Sequence, residues 1–216
     1  MSRFSHIHSI DCDRADTWRG KAFLTFDIDW AGDGVLHDCL DLLEHYEVPS
    51  TWFVTHDTPV LARLRANPLI ELGIHPNFNF LLQGDSRNGA NAEEVLDRML
   101  ALVPEAKTVR SHSMTQSTPL LDMFLRKGLT HDANHFIPEQ AGMTLAPWRL
   151  WNGLIKVPYS WEDDVHCMYG HGDAPAALLA KDGLRVFDFH PIHVFLNTEH
   201  LDRYEQARAE IGRAHV

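Results

Sequence analysis

Cysteine is scarce in this chain: Cys12, Cys39 and Cys167 are three in 216 residues, odd in number and widely spaced, with no C-x-x-C pair. A disulfide framework and a cysteine zinc site are both excluded, which leaves free thiols in a reducing compartment. Long apolar runs are missing too, and no segment approaches the roughly 18 residues of a membrane span. Met1 to Ile10 mixes Arg3, His6 and His8 with isolated apolar residues, unlike a secretory signal. These absences point to a cytoplasmic location. Positive charge is in deficit, with 19 Lys plus Arg against 30 Asp plus Glu and a net charge of −11. Nucleic acid and anionic membrane surfaces repel such a chain at long range and are excluded as main partners. An uncharged ligand is compatible with it.

What the chain has in plenty is histidine, 15 residues, within an ordinary globular background of 44% hydrophobic and 23% charged residues. A chain of this length buries roughly 70% of its unfolded surface and needs no staples. Short apolar runs alternate with amphipathic stretches, the pattern of repeated β-α units. Strands are expected at 22–26, 50–55, 69–74, 108–110, 129–132, 154–157 and 184–189. Helices are expected at 34–46, from Pro59, at 92–103, from Pro119 to Gly128, and from an N-cap at Thr198 to Arg208. The reading is one α/β domain over 21–209 after an N-terminal extension, 1–20. Two long loops, Phe78 to Ala90 and Asn134 to Asn152, have the length of functional lids. The closing Glu210-Ile-Gly-Arg-Ala-His-Val216 reads as a non-native tail, the natural chain continuing past about Ala209.

Functional groups in parallel β-α folds gather at the carboxyl ends of the strands. Here those ends carry Asp27-Ile-Asp29-Trp30, His56-Asp57, His75-Pro-Asn-Phe-Asn79, Arg110-Ser-His112, Tyr159-Ser-Trp-Glu-Asp-Asp164 and His190-Pro-Ile-His193. Asp27 and Asp29 share a face at two-residue spacing, an arrangement that suits one metal ligand beside one general base. Pro76 would open a helical turn that brings His75 and Asn79 to one side, where both reach a metal. Arg110 is placed to hold and orient Asp27. His190, fixed by Pro191, is a candidate general acid, with Asp163 or Asp164 stabilising its imidazolium. Each feature also has a bland reading: a solvated turn for the aspartates, a cap for His75, a surface ion pair for Arg110 and a packed rim histidine for His193.

The phrases Phe26-Asp-Ile-Asp-Trp30, Gly73-Ile-His-Pro-Asn-Phe-Asn79, Arg110-Ser-His112, Pro158-Tyr-Ser-Trp-Glu-Asp-Asp164 and Phe189-His-Pro191 resemble, in order, the five motifs of the polysaccharide deacetylase superfamily. This is the NodB-homology group, carbohydrate esterase family 4. The stretches Val54 to Thr58 and His190 to Asn197 resemble its WbmS-like branch, associated with O-antigen biosynthesis. The resemblance implies a distorted (β/α)7 barrel and a metal-dependent hydrolase that removes N-acetyl groups from a sugar. The substrate would be nucleotide-linked, lipid-linked or polymeric. It implies Asp27 as base, Asp29 and His75 as ligands of a divalent metal, zinc first and cobalt, nickel or manganese otherwise. Arg110 would orient the base, Asp163 or Asp164 would be the fourth-motif acid, and His190 the catalytic acid. The third ligand falls on Asn79, where the family has histidine, a departure that leaves open an Asn-ligated metal, a substitute ligand such as His112 or His56, or a weakened site. Trp161, Tyr159 and Trp30 are candidates for an aromatic wall against the sugar, and His112 for a substrate contact. Two rivals are hydrolysis of another amide and a catalytically silent sugar-binding homologue.

Overall fold

The strand Ser50–Val54 (β2) is buried at every position, as expected where a parallel sheet is covered on both faces. It lies between Phe23–Asp27 (β1) and Ile70–Ile74 (β3). The computed structural model describes residues 3–29, 31–170 and 175–211, so Trp30 and most of the expected tail lie outside the described residues. Thr108–Val109 (β4), His131–Asp132 (β5), Trp148–Arg149 (β6), Ile155–Lys156 (β7), Trp161–Glu162 (β8) and Val186–Phe189 (β9) complete one curled sheet, with order β6-β7-β5-β4-β3-β2-β1-β9-β8. The seven strands expected from the sequence are all present and mutually parallel. Two more were not foreseen: β6 pairs antiparallel with β7, and β8 extends the far edge beside β9.

Helices Asp33–His45 (α1), Val60–Ala66 (α2), Asn79–Leu82 (α3), Ala92–Leu102 (α4) and Thr118–Arg126 (α5) follow the first four strands. Asp163–Tyr169 (α6) and Pro175–Leu178 (α7) follow β8, and Pro191–Leu196 (α8) and Leu201–Ile211 (α9) follow β9. Asn91 and Ser117 cap α4 and α5 with their side chains, and Gly128 takes φ 87° just past α5, the left-handed turn that glycine adopts without strain. The helix expected from a Thr198 cap begins later, at Leu201, because the Thr198 hydroxyl is bonded to His193 Nδ1 at 3.1 Å.

Residues 4–20 lie along the N-terminal ends of the strands. Ile7, Ile10 and Trp18 are buried with Phe23, Val157 and Val186. Inside the curl, Gly73 has a specific reason: a Cβ there would sit 2.4 Å from Thr108 Oγ1 and 2.7 Å from the Phe53 ring. Its absence lets Phe53 lie under the site. No described helix is long and apolar enough to cross a membrane.

Candidate metal centre and acid–base site

Asp27 ends β1, and Asp29 stands in the turn that follows. Both are buried, and both face the ring of His75, which directly follows β3. His75 Nε2 is 3.1 Å from Asp29 Oδ2, and Nδ1 lies 3.3 Å from Asp27 Oδ2 without a well-aligned hydrogen bond. Burial opposes the charge on each partner, but mutual attraction outweighs it. The Asp29 carboxyl is held far below the carboxylate range by His75 and His112, and His75 is raised by Asp27 and Asp29.

The helical turn expected from His75 to Asn79 does not form. The His75 N–H donates to Val54 O at 2.8 Å, prolonging the parallel ladder, and α3 starts only at Asn79. Asn79 therefore points elsewhere: its amide donates to Ser113 Oγ at 3.0 Å and accepts from Thr115 Oγ1 at 3.0 Å. His112 reaches the cluster instead. Its Nδ1 is 3.3 Å from both Asp29 Oδ2 and His75 Nε2. His56 is turned to Thr55 Oγ1, 2.6 Å away, and is not part of the cluster.

One carboxylate oxygen and two imidazole nitrogens thus form a triangle with edges of 3.1, 3.3 and 3.3 Å. Donors bound to zinc at about 2.0–2.1 Å in a tetrahedron are separated by about 3.3 Å, so this donor set fits that ion. The other Asp29 oxygen, Oδ1, is buried without a hydrogen-bond partner.

Arg110 follows β4 and is almost wholly buried. Its Nη1 bonds Asp27 Oδ1 at 3.0 Å and Asp188 Oδ1 more closely, and Nε donates to Ala133 O at 3.3 Å. The guanidinium is sandwiched between the Phe53 and Tyr159 rings, 4.6 and 4.4 Å from their centroids. Asp188 escaped the sequence reading. It lies two residues before His190 on β9, and Thr25 Oγ1 donates to it at 2.9 Å. Burial pushes its carboxyl well above the ordinary range, with Arg110 opposing. Asparagine keeps an acceptor oxygen for Arg110 and Thr25 without the charge, so Asp188→Asn is expected to be the less destabilised of two variants compared by urea unfolding. Asp188→Ala, which strips Arg110 and Thr25 of an acceptor, is expected to cost about 3 kcal/mol.

Across the cavity, His190 Nδ1 meets Asp163 Oδ1 at 2.8 Å, and the His190 N–H donates to Asp163 Oδ2 at 2.7 Å. Burial lowers His190, but the Asp163 carboxylate overrides it and holds the ring well above its usual value. An open-mouthed cavity of about 170 Å³ joins the two halves, lined by Asp27, Asp29, His75, His112, Arg110, Tyr159, Glu162, Asp164 and His190. Glu162, unassigned from sequence, is pushed up to about 7 by burial and by Asp164. Tyr159 lies with its ring against Arg110, its hydroxyl donating to Glu162 at 3.3 Å. Trp161 does not line this cavity; it packs on Phe187 and Phe189.

Comparison with known proteins identifies the family. The description WbmS-like polysaccharide deacetylase matches residues 24–208. A solved structure from Bordetella bronchiseptica, a candidate polysaccharide deacetylase involved in O-antigen biosynthesis, is similar with a TM-score of 0.89 and 50% identity, over 96% of this chain and 86% of that one. A candidate polysaccharide deacetylase from Mycobacterium smegmatis shares the fold with a TM-score of 0.55 at 18% identity, over 88% of this chain and 83% of that one. No curated protein sequence matches. The chain belongs to the WbmS-like polysaccharide deacetylase family.

Proposed function

We propose that this protein is a metal-dependent N-deacetylase acting on an N-acetylated sugar of a surface polysaccharide of the O-antigen type. The observation that carries the reading is the triangle of Asp29, His75 and His112 donors facing Asp27 on one side and the His190–Asp163 pair on the other. Asp29, His75 and His112 would hold a divalent cation, zinc by their donor chemistry, which when bound would supply Lewis acidity to the acetyl carbonyl and to the attacking water. Asp27, oriented by Arg110, takes a proton from that water, which adds to the amide carbon. His190 protonates the departing nitrogen, the C–N bond breaks, and acetate and a free amine result. Asp163 fixes Nδ1 of the imidazole, so the transferred proton is the one on Nε2. The net negative charge suits a substrate recognised through its sugar.

The test is acetate release from N-acetylhexosamines presented free, on a nucleotide diphosphate, on a lipid diphosphate and in polymer. One of these is expected to yield acetate and amine in equal amounts. Chelation is expected to suppress the rate by about 100-fold or more, and zinc to restore it. Formate release from a matching N-formyl sugar, with no acetate from the N-acetyl panel, would move the enzyme to another amide. Sugar binding with no hydrolysis in the zinc-loaded protein would leave a silent homologue.

A further inference from the structure

The loop that brings His112 to the cluster is strained. Ser113 and Met114, neither of them glycine, have φ of 53° and 54°. Consecutive left-handed residues other than glycine are sterically unfavourable and persist only where their surroundings hold them. Two asparagines on opposite sides supply the hold. On one side, Asn79 grips the loop at two points, donating to Ser113 Oγ and accepting from Thr115 Oγ1, while Thr115 Oγ1 also donates to His112 O at 3.2 Å. On the other, buried Asn134 accepts the Ser111 N–H on Oδ1 at 2.7 Å.

Asn134 is itself locked. Its N–H donates to Asp132 Oδ1 at 2.9 Å and its amide to Asp132 Oδ2 at 3.3 Å, and Asp132 is paired with the fully buried Lys156. Gln116 joins the ends, accepting from Lys156 Nζ at 2.9 Å and donating to Asn134 O at 3.1 Å. The residue between Asp132 and Asn134, Ala133, carries the carbonyl that receives Arg110 Nε. One buried network therefore reaches both the His112 loop and the arginine that orients Asp27.

We infer that Asn79 and Asn134 are positioning residues for His112, two amide clamps that hold a strained loop so that its histidine completes the metal site. Asn79 thus serves the metal indirectly, from the position where a direct ligand was expected. The inference rests on the reading of His112 as the third ligand, and the experiment separates the two. Apo protein is titrated with cobalt(II) and with zinc(II) against a competing chelator, and the visible spectrum of the cobalt form is recorded with the thermal midpoint. Asn79→Ala and Asn134→Ala are each expected to weaken metal binding by about 10- to 100-fold and to alter the cobalt band. A merely structural role would lower the midpoint and leave the band and affinity of the folded protein unchanged, which would overturn the inference. Where Asn134→Ala does not fold, Asn79→Ala, on the partly exposed side of the loop, decides. Parent-like binding by His112→Ala would overturn the ligand reading itself. Loss of metal in His112→Ala, with parent-like binding in both asparagine variants, would overturn the clamps alone.

Discussion

Asp29→Ala, His75→Ala and His112→Ala are each expected to purify without stoichiometric metal and to lose acetate release by about 10³-fold or more. Each removes one corner of the donor triangle, and two corners cannot enclose a cation in competition with water. His56→Ala is the informative companion. His56 also lies just past a strand at this mouth of the sheet, but its ring is turned to Thr55 and lies outside the triangle, so metal content and rate are expected to match the parent. Metal analysis on the purified proteins, followed by acetate assay at saturating zinc, checks both halves. Retention of a full metal complement by His112→Ala, with loss in His56→Ala, would move the third ligand to the neighbouring strand. The expected loss is larger than that for the two asparagine clamps because a ligand contributes a bond to the ion, and a clamp only its aim.

Much of this site is visible in the sequence because parallel strands deliver their terminal residues to one rim. Asp27, His75, Arg110 and His190 each follow an apolar run, and the fold brings them to one cavity. The two-residue spacing that singled out Asp27 and Asp29 applies equally to Asp188 and His190. Asp188 went unread because a carboxylate inside Val-Phe-Asp-Phe interrupts an apolar run and resembles an outward-facing residue. Asn79 shows where spacing misleads. The four-residue interval and Pro76 suit a helical turn, but one backbone bond from His75 to Val54 keeps the chain extended past that point. No local rule registers that competition, since it depends on where β2 ends. The Lys156–Asp132 pair is equally opaque, because it exists only through the register that sets Asp132 opposite Lys156. Trp161 illustrates a different limit: its residue type suits a sugar wall, but β8 turns it onto Phe187 and Phe189.

His190→Ala is expected to lower kcat by about 10²–10⁴-fold, the usual contribution of a positioned proton donor, with little change in metal content. Asp163→Asn tests how that donor is prepared. In the parent, the Asp163 carboxylate raises His190 against the lowering effect of burial. An asparagine keeps the shape but removes the charge, so His190 falls and the imidazolium is lost at lower pH. Because the acid must be protonated to act, the alkaline limb of kcat/KM is expected to move to lower pH in Asp163→Asn, leaving the acidic limb in place. Stability follows the same linkage. A histidine raised in the folded state adds stability that is complete below its unfolded value of about 6.5 and fades as pH climbs through the folded value. In the parent this fade extends well above 6.5, and in Asp163→Asn it is expected to retreat toward it. Urea unfolding of parent and variant at several pH values should therefore differ most in the mildly acidic to neutral range, with the parent the more stable, and should converge in the alkaline range as the parent's His190 loses its charge. An unchanged alkaline limb together with parallel stability curves would remove His190 from the role of acid and leave Asp163 as a structural tether of the His190 backbone N–H.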